Sequence, residues 1–341
     1  MRWHNGLLKV LGIILAVSGS LCARGQEEEI GWMSLAEAER QALQQPKPLL
    51  IDVYTDWCGW CKQMDKTTYD DPLVISFVNR YFYPVKLNAE SADTVYFRNK
   101  VYAPVVQGNK LLNSLAVELL GGKLSYPTTV FLYDSEQVNM VVPGYIDIPK
   151  MQGFMIYFAE NVYLSTDIDT FLGDFVQVFG KEHDRLPLPK TYWTTFEELE
   201  ARRKEQARKI LLFMKASWSN SSKMMEKTVF TDSVFSSLAQ KYFYCLHLDV
   251  QSDDSLTFMT HHFVNSGSQN NHLHQLAIAL SDKVLRVPGI FLFDENGKLI
   301  ERLYYYLDRR RGSMILDYIG SDLYKDMAWS DYVRMRSKEC L

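Results

Sequence analysis

The chain has 341 residues, 47% of them hydrophobic and 23% charged, with a formal net charge of −4. That length accommodates two ordinary domains, and the composition is that of a folded protein rather than a disordered or fibrous one. A near-balanced charge with no basic block or basic aromatic stripe excludes a nucleic-acid reader.

Residues 1–25 read as an export signal. Arg2, His4 and Lys9 give a positive start, Val10 to Val17 an apolar core with one glycine, and Ala23 and Gly25 stand three and one before a cut ahead of Gln26. The apolar run is shorter than a bilayer span requires, so a cleaved signal ranks above an uncleaved anchor. No later segment reads as a span, and none is expected once the signal is removed. Cys22 follows Leu21, where a lipobox carries a small residue, and lipidation is discounted. An exported, periplasmic or extracytoplasmic chain meets an environment in which disulfides persist. Its remaining cysteines, Cys58, Cys61, Cys245 and Cys340, are too few for a disulfide scaffold.

After the signal the elements follow in order. "SLAEAERQALQQ" is a predicted helix with Ser34 as N-cap and Glu37 at capping-box spacing. "PLLIDVY" is an apolar run of strand type, and the motif "WCGWCK" follows it at once and opens a helix. "YFYPVKLN", "TTVFLYD" and "MVVPGYI" read as further strands, and "PKMQGFMIYFAENVYL" as a closing helix. Strands alternating with helices predict a mixed sheet covered on both faces.

The pattern then recurs. With residue 57 laid on residue 218, an offset of 161, "WCGWCKQMDKTTYDD" lies over "WSNSSKMMEKTVFTD", Pro127 over Pro288 and Trp32 over Trp193. One offset held over about 140 residues predicts a duplicated domain. "FLYD" and "FLFD" align better at 160, which predicts a one-residue slip after the prolines. The expected boundaries are 27–171 for the first domain, 172–191 for a linker with Pro187 and Pro189, and 192–341 for the second domain.

"LLIDVYTDWCGWCK", the strand "VKLN" and "YPTTVFL" followed by "PGY" resemble the thioredoxin superfamily, and more narrowly its exported members with W-C-x-x-C-K centres. The resemblance covers the first repeat almost end to end and implies an α/β fold with a central mixed sheet flanked by helices. The second repeat resembles the same fold through the duplication but lacks the cysteines. The likeness implies thiol–disulfide exchange on protein disulfides, no cofactor, and a second redox protein that recharges the cysteine pair.

The residues support that chemistry on their own terms. Cys58 falls at a helix mouth, where unpaired N–H groups and the helix dipole favour a thiolate, the nucleophile of exchange. Cys61 lies one turn further on the same face and is placed to resolve the mixed disulfide. Half a zinc site and two inert buried thiols are the competing readings. Zinc wants a second ligand pair, and the first repeat after residue 26 has no histidine.

Asp52 lies on the predicted buried strand, six residues before Cys58. An isolated buried carboxylate has its pKa raised towards neutrality and can take the proton of the resolving thiol. The resemblance implies that role for an acid at this spacing. Phe213 stands at the equivalent place in the repeat without cysteines. Pro127, after Tyr126, is by resemblance a cis-proline that presents the backbone of residue 126 to a bound peptide. Trp60, replaced by Ser221, is expected to belong to the active centre. Trp57, retained as Trp218, is expected to be a structural, packing residue.

In the second repeat Ser219 and Ser222 stand where the cysteines would be, and no base adjoins them in sequence. A binding platform, a dimer surface or a spacer are the expected uses. His261, His262, His272 and His274 form two groups that are expected to be solvated rather than to hold a metal. Cys245 is expected to be a buried free thiol and Cys340 a mobile one. The expected whole is a tandem thioredoxin-like protein whose first domain reduces or isomerises disulfides. The rival expectation is a binding or chaperone-like protein whose C-x-x-C is a structural disulfide.

Overall fold

The computed structural model describes residues 29–133, 138–180, 192–265, 267, 272–281 and 285–339. The expected signal, Cys22, Cys340 and the linker from 181 to 191 lie outside the described residues.

Ser34 caps α1 (Leu35–Gln44), its Oγ accepting the Glu37 N–H at 3.2 Å. β1 (Leu49–Tyr54) is buried along nearly its whole length, as an unbroken apolar run requires of a central strand. α2 (Gly59–Thr67) begins at the cysteine motif. α3 (Pro72–Tyr81) starts with proline behind an Asp71 cap, the residue types that helix entry favours. β2 (Tyr83–Asn88) follows.

Two hairpins that the hydrophobic pattern does not announce come next: β3 (Val95–Phe97) with β4 (Lys100–Tyr102), and β5 (Pro104–Gln107) with β6 (Lys110–Asn113). Their strands are three or four residues long, too short for alternation to be legible. α4 (Ser114–Leu119), β7 (Thr128–Tyr133), β8 (Val138–Pro143) and α5 (Ile148–Ala159) complete the unit. The sheet order is β2-β1-β7-β8, with β1 parallel to β2 and antiparallel to β7. α6 (Ile168–Phe179) then runs across the expected boundary at 171 and buries Phe171, Phe175 and Val178.

The second region repeats the plan. α7 (Phe196–Glu205), β9 (Lys209–Lys215), α8 (Asn220–Lys227), α9 (Ser233–Tyr242) and β10 (Phe243–Asp249) come first. The hairpin β11 (Leu256–Phe258) and β12 (His261–Phe263), α10 (Gln275–Leu280), β13 (Gly289–Phe293), β14 (Leu299–Leu303), α11 (Arg309–Gly320) and α12 (Trp329–Glu339) follow. Its sheet order, β10-β9-β13-β14, is that of the first.

The expected one-residue slip after the prolines does not occur. Leu50 pairs with Phe131 in the first sheet and Leu211 with Leu292 in the second, so the offset stays at 161 through both strands. A one-residue slip would turn every side chain to the opposite face. Phe131 and Leu292 instead share one core, while Val130 and Phe291 face the separate cores beyond each sheet. The likeness of "FLYD" to "FLFD" is therefore a coincidence of apolar residues on opposite faces.

That shared core joins the two regions. Phe131, Phe154, Phe158 and Phe171 on one side and Phe213, Phe230, Leu292 and Tyr306 on the other belong to one apolar cluster. Polar ties seal its edge. The Tyr306 hydroxyl donates to Asp174 Oδ2 at 2.6 Å, Arg309 pairs with Asp174 at 2.8 Å, and Arg311 donates to the Ser165 carbonyl at 2.8 Å.

Candidate active site

β1 runs out of the sheet into a turn in which the Cys58 N–H donates to the Thr55 carbonyl at 3.1 Å. Cys58 is the N-cap of α2, in extended conformation, and its Sγ accepts the Cys61 N–H at 3.0 Å. The helix mouth thus directs a backbone donor at the sulfur, the contact that stabilises negative charge there. Cys58 and Cys61 are joined by a disulfide with Cα atoms 5.3 Å apart.

The surroundings differ from expectation in two ways. Cys58 keeps only 4% of its surface exposed in this disulfide form, so the reachable sulfur expected at the helix mouth is nearly covered. Gly59 beside it is exposed and has open space where a Cβ would stand. Trp57, expected to pack inside, is 61% exposed. It precedes the helix on an outward turn, and its indole N–H donates to Glu90 Oε2 at 2.7 Å. Lys110, from the second hairpin, pairs with Glu90 at 3.2 Å and lies over the Trp57 ring at 4.9 Å. The Tyr126 ring meets Trp57 edge-on at 6.1 Å, next to the Tyr126–Pro127 bond, which is cis as the resemblance implied. Trp60, 64% exposed, leans on Tyr145 at 5.8 Å. Trp57, Trp60, Tyr126 and Tyr145 therefore stand around the disulfide as an aromatic rim.

Below this rim Asp52 is 1% exposed. Burial pushes its carboxyl up to about 6 against the opposing pull of Lys86. Oδ2 lies 3.2 Å from Lys86 Nζ, and Oδ1 has no hydrogen-bond partner among the described residues. Asp52 is thus not the isolated acid of the sequence reading. Lys86 faces it in the parallel register of β2 and also pairs with Asp65 on α2. The quoted strand "VKLN" contained this lysine, but only strand pairing brings it to Asp52. Glu90 and Lys110 were missed for the same reason.

The second region lacks these groups. Phe213, in place of Asp52, packs on Phe230 at 4.6 Å between ring centroids. Ser219 caps α8 as Cys58 caps α2, its Oγ accepting the Ser222 N–H at 3.1 Å. Val287–Pro288 is also cis. Cys245 is a buried free thiol whose pKa burial drives far up. His274, expected to be solvated, is fully buried. It caps α10, accepting the Leu276 N–H at Nδ1, with Nε2 3.0 Å from the Asp254 carbonyl. No helix among the described residues is long and apolar enough to cross a membrane.

Comparison with known proteins agrees with this geometry. Residues 16–159 match the family model Thioredox_DsbH, described as "Protein of unknown function, DUF255", and residues 192–294 match Thioredoxin_7, described as "Thioredoxin-like". The "Thiol:disulfide interchange protein DsbD" of Pectobacterium atrosepticum is 29% identical over 122 residues, 36% of this chain and 17% of that protein. Its namesake in Salmonella typhi is 32% identical over 119 residues, 34% of this chain and 18% of that protein. The chain thus spans less than a fifth of the length of these curated relatives. Among solved structures, a putative disulphide-isomerase from Bacteroides thetaiotaomicron is 25% identical, covers 39% of this chain and 95% of its own, and superposes with a TM-score of 0.29. The two regions are thus similar to thioredoxin-like proteins and share their fold, and the first carries the cysteine pair.

Proposed function

We propose that the first region, residues 27–171 with the remainder of α6, is a thiol–disulfide oxidoreductase that reduces or isomerises disulfides of exported proteins. The observation that carries this reading is the Cys58–Cys61 disulfide at the mouth of α2, with the Cys61 N–H on Cys58 Sγ. The DsbD relatives support the same chemistry.

In the reduced form the Cys58 thiolate attacks a substrate disulfide. A mixed disulfide forms and one substrate thiolate leaves. Cys61 then gives its proton to Asp52, directly or through one water, and attacks Cys58 Sγ. The second substrate thiolate departs and collects that proton. The substrate gains two electrons, the Cys58–Cys61 disulfide is restored, and a dithiol partner must recharge it. Trp60, Tyr126 and Pro127 hold the incoming chain, and Trp57 joins them as rim rather than core. The second region, 192–341 beyond a linker, contributes no thiol to this cycle.

The coverage of Cys58 favours a second reading, a binding protein with a structural disulfide. Reduction of insulin by dithiothreitol separates the two. Acceleration by the protein supports exchange, and no acceleration leaves the binding reading. Within the exchange reading, Trp60→Ala raises KM about fivefold, since a rim aromatic contributes on the order of 1 kcal/mol to a bound chain. Its Tm changes by less than about 1 °C, because the ring is mostly exposed. A fall in kcat at constant KM would refute the assignment of Trp60 to binding.

A further inference from the structure

The helix mouth that is catalytic in the first region is occupied in the second. Glu160, the C-terminal cap of α5, places its carboxyl on the N-terminus of α8. The Ser219 hydroxyl donates to Oε2 at 2.9 Å, the Ser221 N–H to the same oxygen at 2.9 Å, and the Asn220 N–H to Oε1 at 3.1 Å. Three donors converge on two oxygens, and Ser219, Ser221 and Ser222 are fully buried around them. We propose that the vestigial active site of the second region is a carboxylate-binding site whose ligand is Glu160 of the first region, and that this clasp fixes the two regions against each other.

The serine is what makes the clasp work. At the first helix mouth Cys58 Sγ only accepts, from the Cys61 N–H. Ser219 Oγ accepts from the Ser222 N–H at 3.1 Å and donates to Glu160 at the same time. A hydroxyl has the one donor and spare lone pair for both tasks, whereas a sulfur in a disulfide has no proton to give. Replacement of cysteine by serine therefore swaps a redox function for a docking function at the same place. The free N–H groups of the first turn and the helix dipole favour an anion there, and charge-assisted bonds are the stronger kind.

The site is also closed to outside partners, since the three donors already serve Glu160 and the serines around them are fully buried. The second region is then an anchor for the first, not a second platform at this face. The ties of Asp174 to Tyr306 and Arg309 lie in the same contact between regions and agree with a fixed arrangement.

Two measurements on the full chain decide the matter. Native-state hydrogen exchange of the intact protein reads the Asn220 and Ser221 amides. Protection at both is expected, whereas exchange as fast as at an open helix end would overturn the clasp. Glu160→Ala is expected to lower Tm by about 5 °C or more. Formate at neutral pH refills the vacated seat and raises the Tm of that variant above its value in chloride at equal ionic strength. The wild-type protein and Glu160→Gln, whose seats are filled, show no such preference. An unchanged Tm for Glu160→Ala, or equal effects of formate and chloride on it, would sink the proposal. Should Glu160→Ala not fold, the exchange measurement on the wild-type protein stands as the deciding one.

Discussion

Cys58→Ser is expected to bring insulin reduction down to the rate of dithiothreitol alone, and Cys61→Ser to halt the cycle half-way and accumulate a protein–substrate mixed disulfide. In the proposed cycle the two effects differ because the sulfurs do different work. Cys58 caps α2 and has a backbone N–H directed at it, so it is the sulfur that gains from ionisation. Cys61 lies a turn inside the helix and is buried. Without Cys58 there is no nucleophile, since a serine hydroxyl needs an adjacent base to attack. Without Cys61 the first displacement still occurs, but nothing close by reverses it. Non-reducing electrophoresis of the Cys61→Ser protein after exposure to a disulfide substrate reads the trapped species. Turnover that survives in Cys58→Ser, or trapping by that variant rather than by Cys61→Ser, would reverse the assignment.

Asp52→Asn is expected to slow exchange roughly a hundredfold at neutral pH and to stabilise the protein above pH 6, two opposite consequences of one buried charge. The rate falls because Asn cannot take the Cys61 proton. The wild-type profile carries an inflection near 6, where Asp52 titrates, and the variant lacks it. The stability argument follows from linkage. Burial raises the folded pKa to about 6 from the ordinary value of 3.8, so the folded chain holds this proton more tightly than the unfolded chain does. That contribution is complete below about pH 4 and is lost as pH rises through the folded value, leaving an ionised carboxylate within the fold. A difference of about two pKa units corresponds to about 3 kcal/mol, with the pull of Lys86 already included in it. Urea denaturation of both proteins with the disulfide intact should therefore give a gain of up to about 3 kcal/mol for Asp52→Asn at pH 8 that vanishes near pH 4. A gain of the same size at both pH values would mean that packing, not charge, sets the difference.

The cap and the cysteine spacing were legible because they are local. Ser34 Oγ takes the Glu37 N–H and Cys58 Sγ the Cys61 N–H within one turn of helix, although the Glu37 carboxyl pairs with Gln41 and Arg40 rather than returning to Ser34. The shared fold was legible because 161 is the offset of paired strands as well as of letters. Trp57 shows the limit of that method. Its recurrence as Trp218 points to packing, yet Trp57 and Trp218 are 61% and 54% exposed. Recurrence records that a position is shared, and it does not distinguish a buried ring from one held on the surface. His274 errs the other way, since a polar letter in a polar stretch gave no sign of its burial as a helix cap.

By itself, then, the chain's order of residues determined two α/β regions, the helix that opens at Cys58, and the loss of both thiols and the buried acid from the second region. Those features depend on contacts a few residues apart or on one repeated pattern. Only the tertiary structure decided that Lys86 faces Asp52, that Glu90 and Lys110 hold Trp57, and that Glu160 closes the silent site. Each of these joins residues 20 to 61 positions apart. Such pairs form because packing the elements against a common core brings distant polar groups together, and where the group is buried, as Asp52 is, it must take whichever partner that packing supplies.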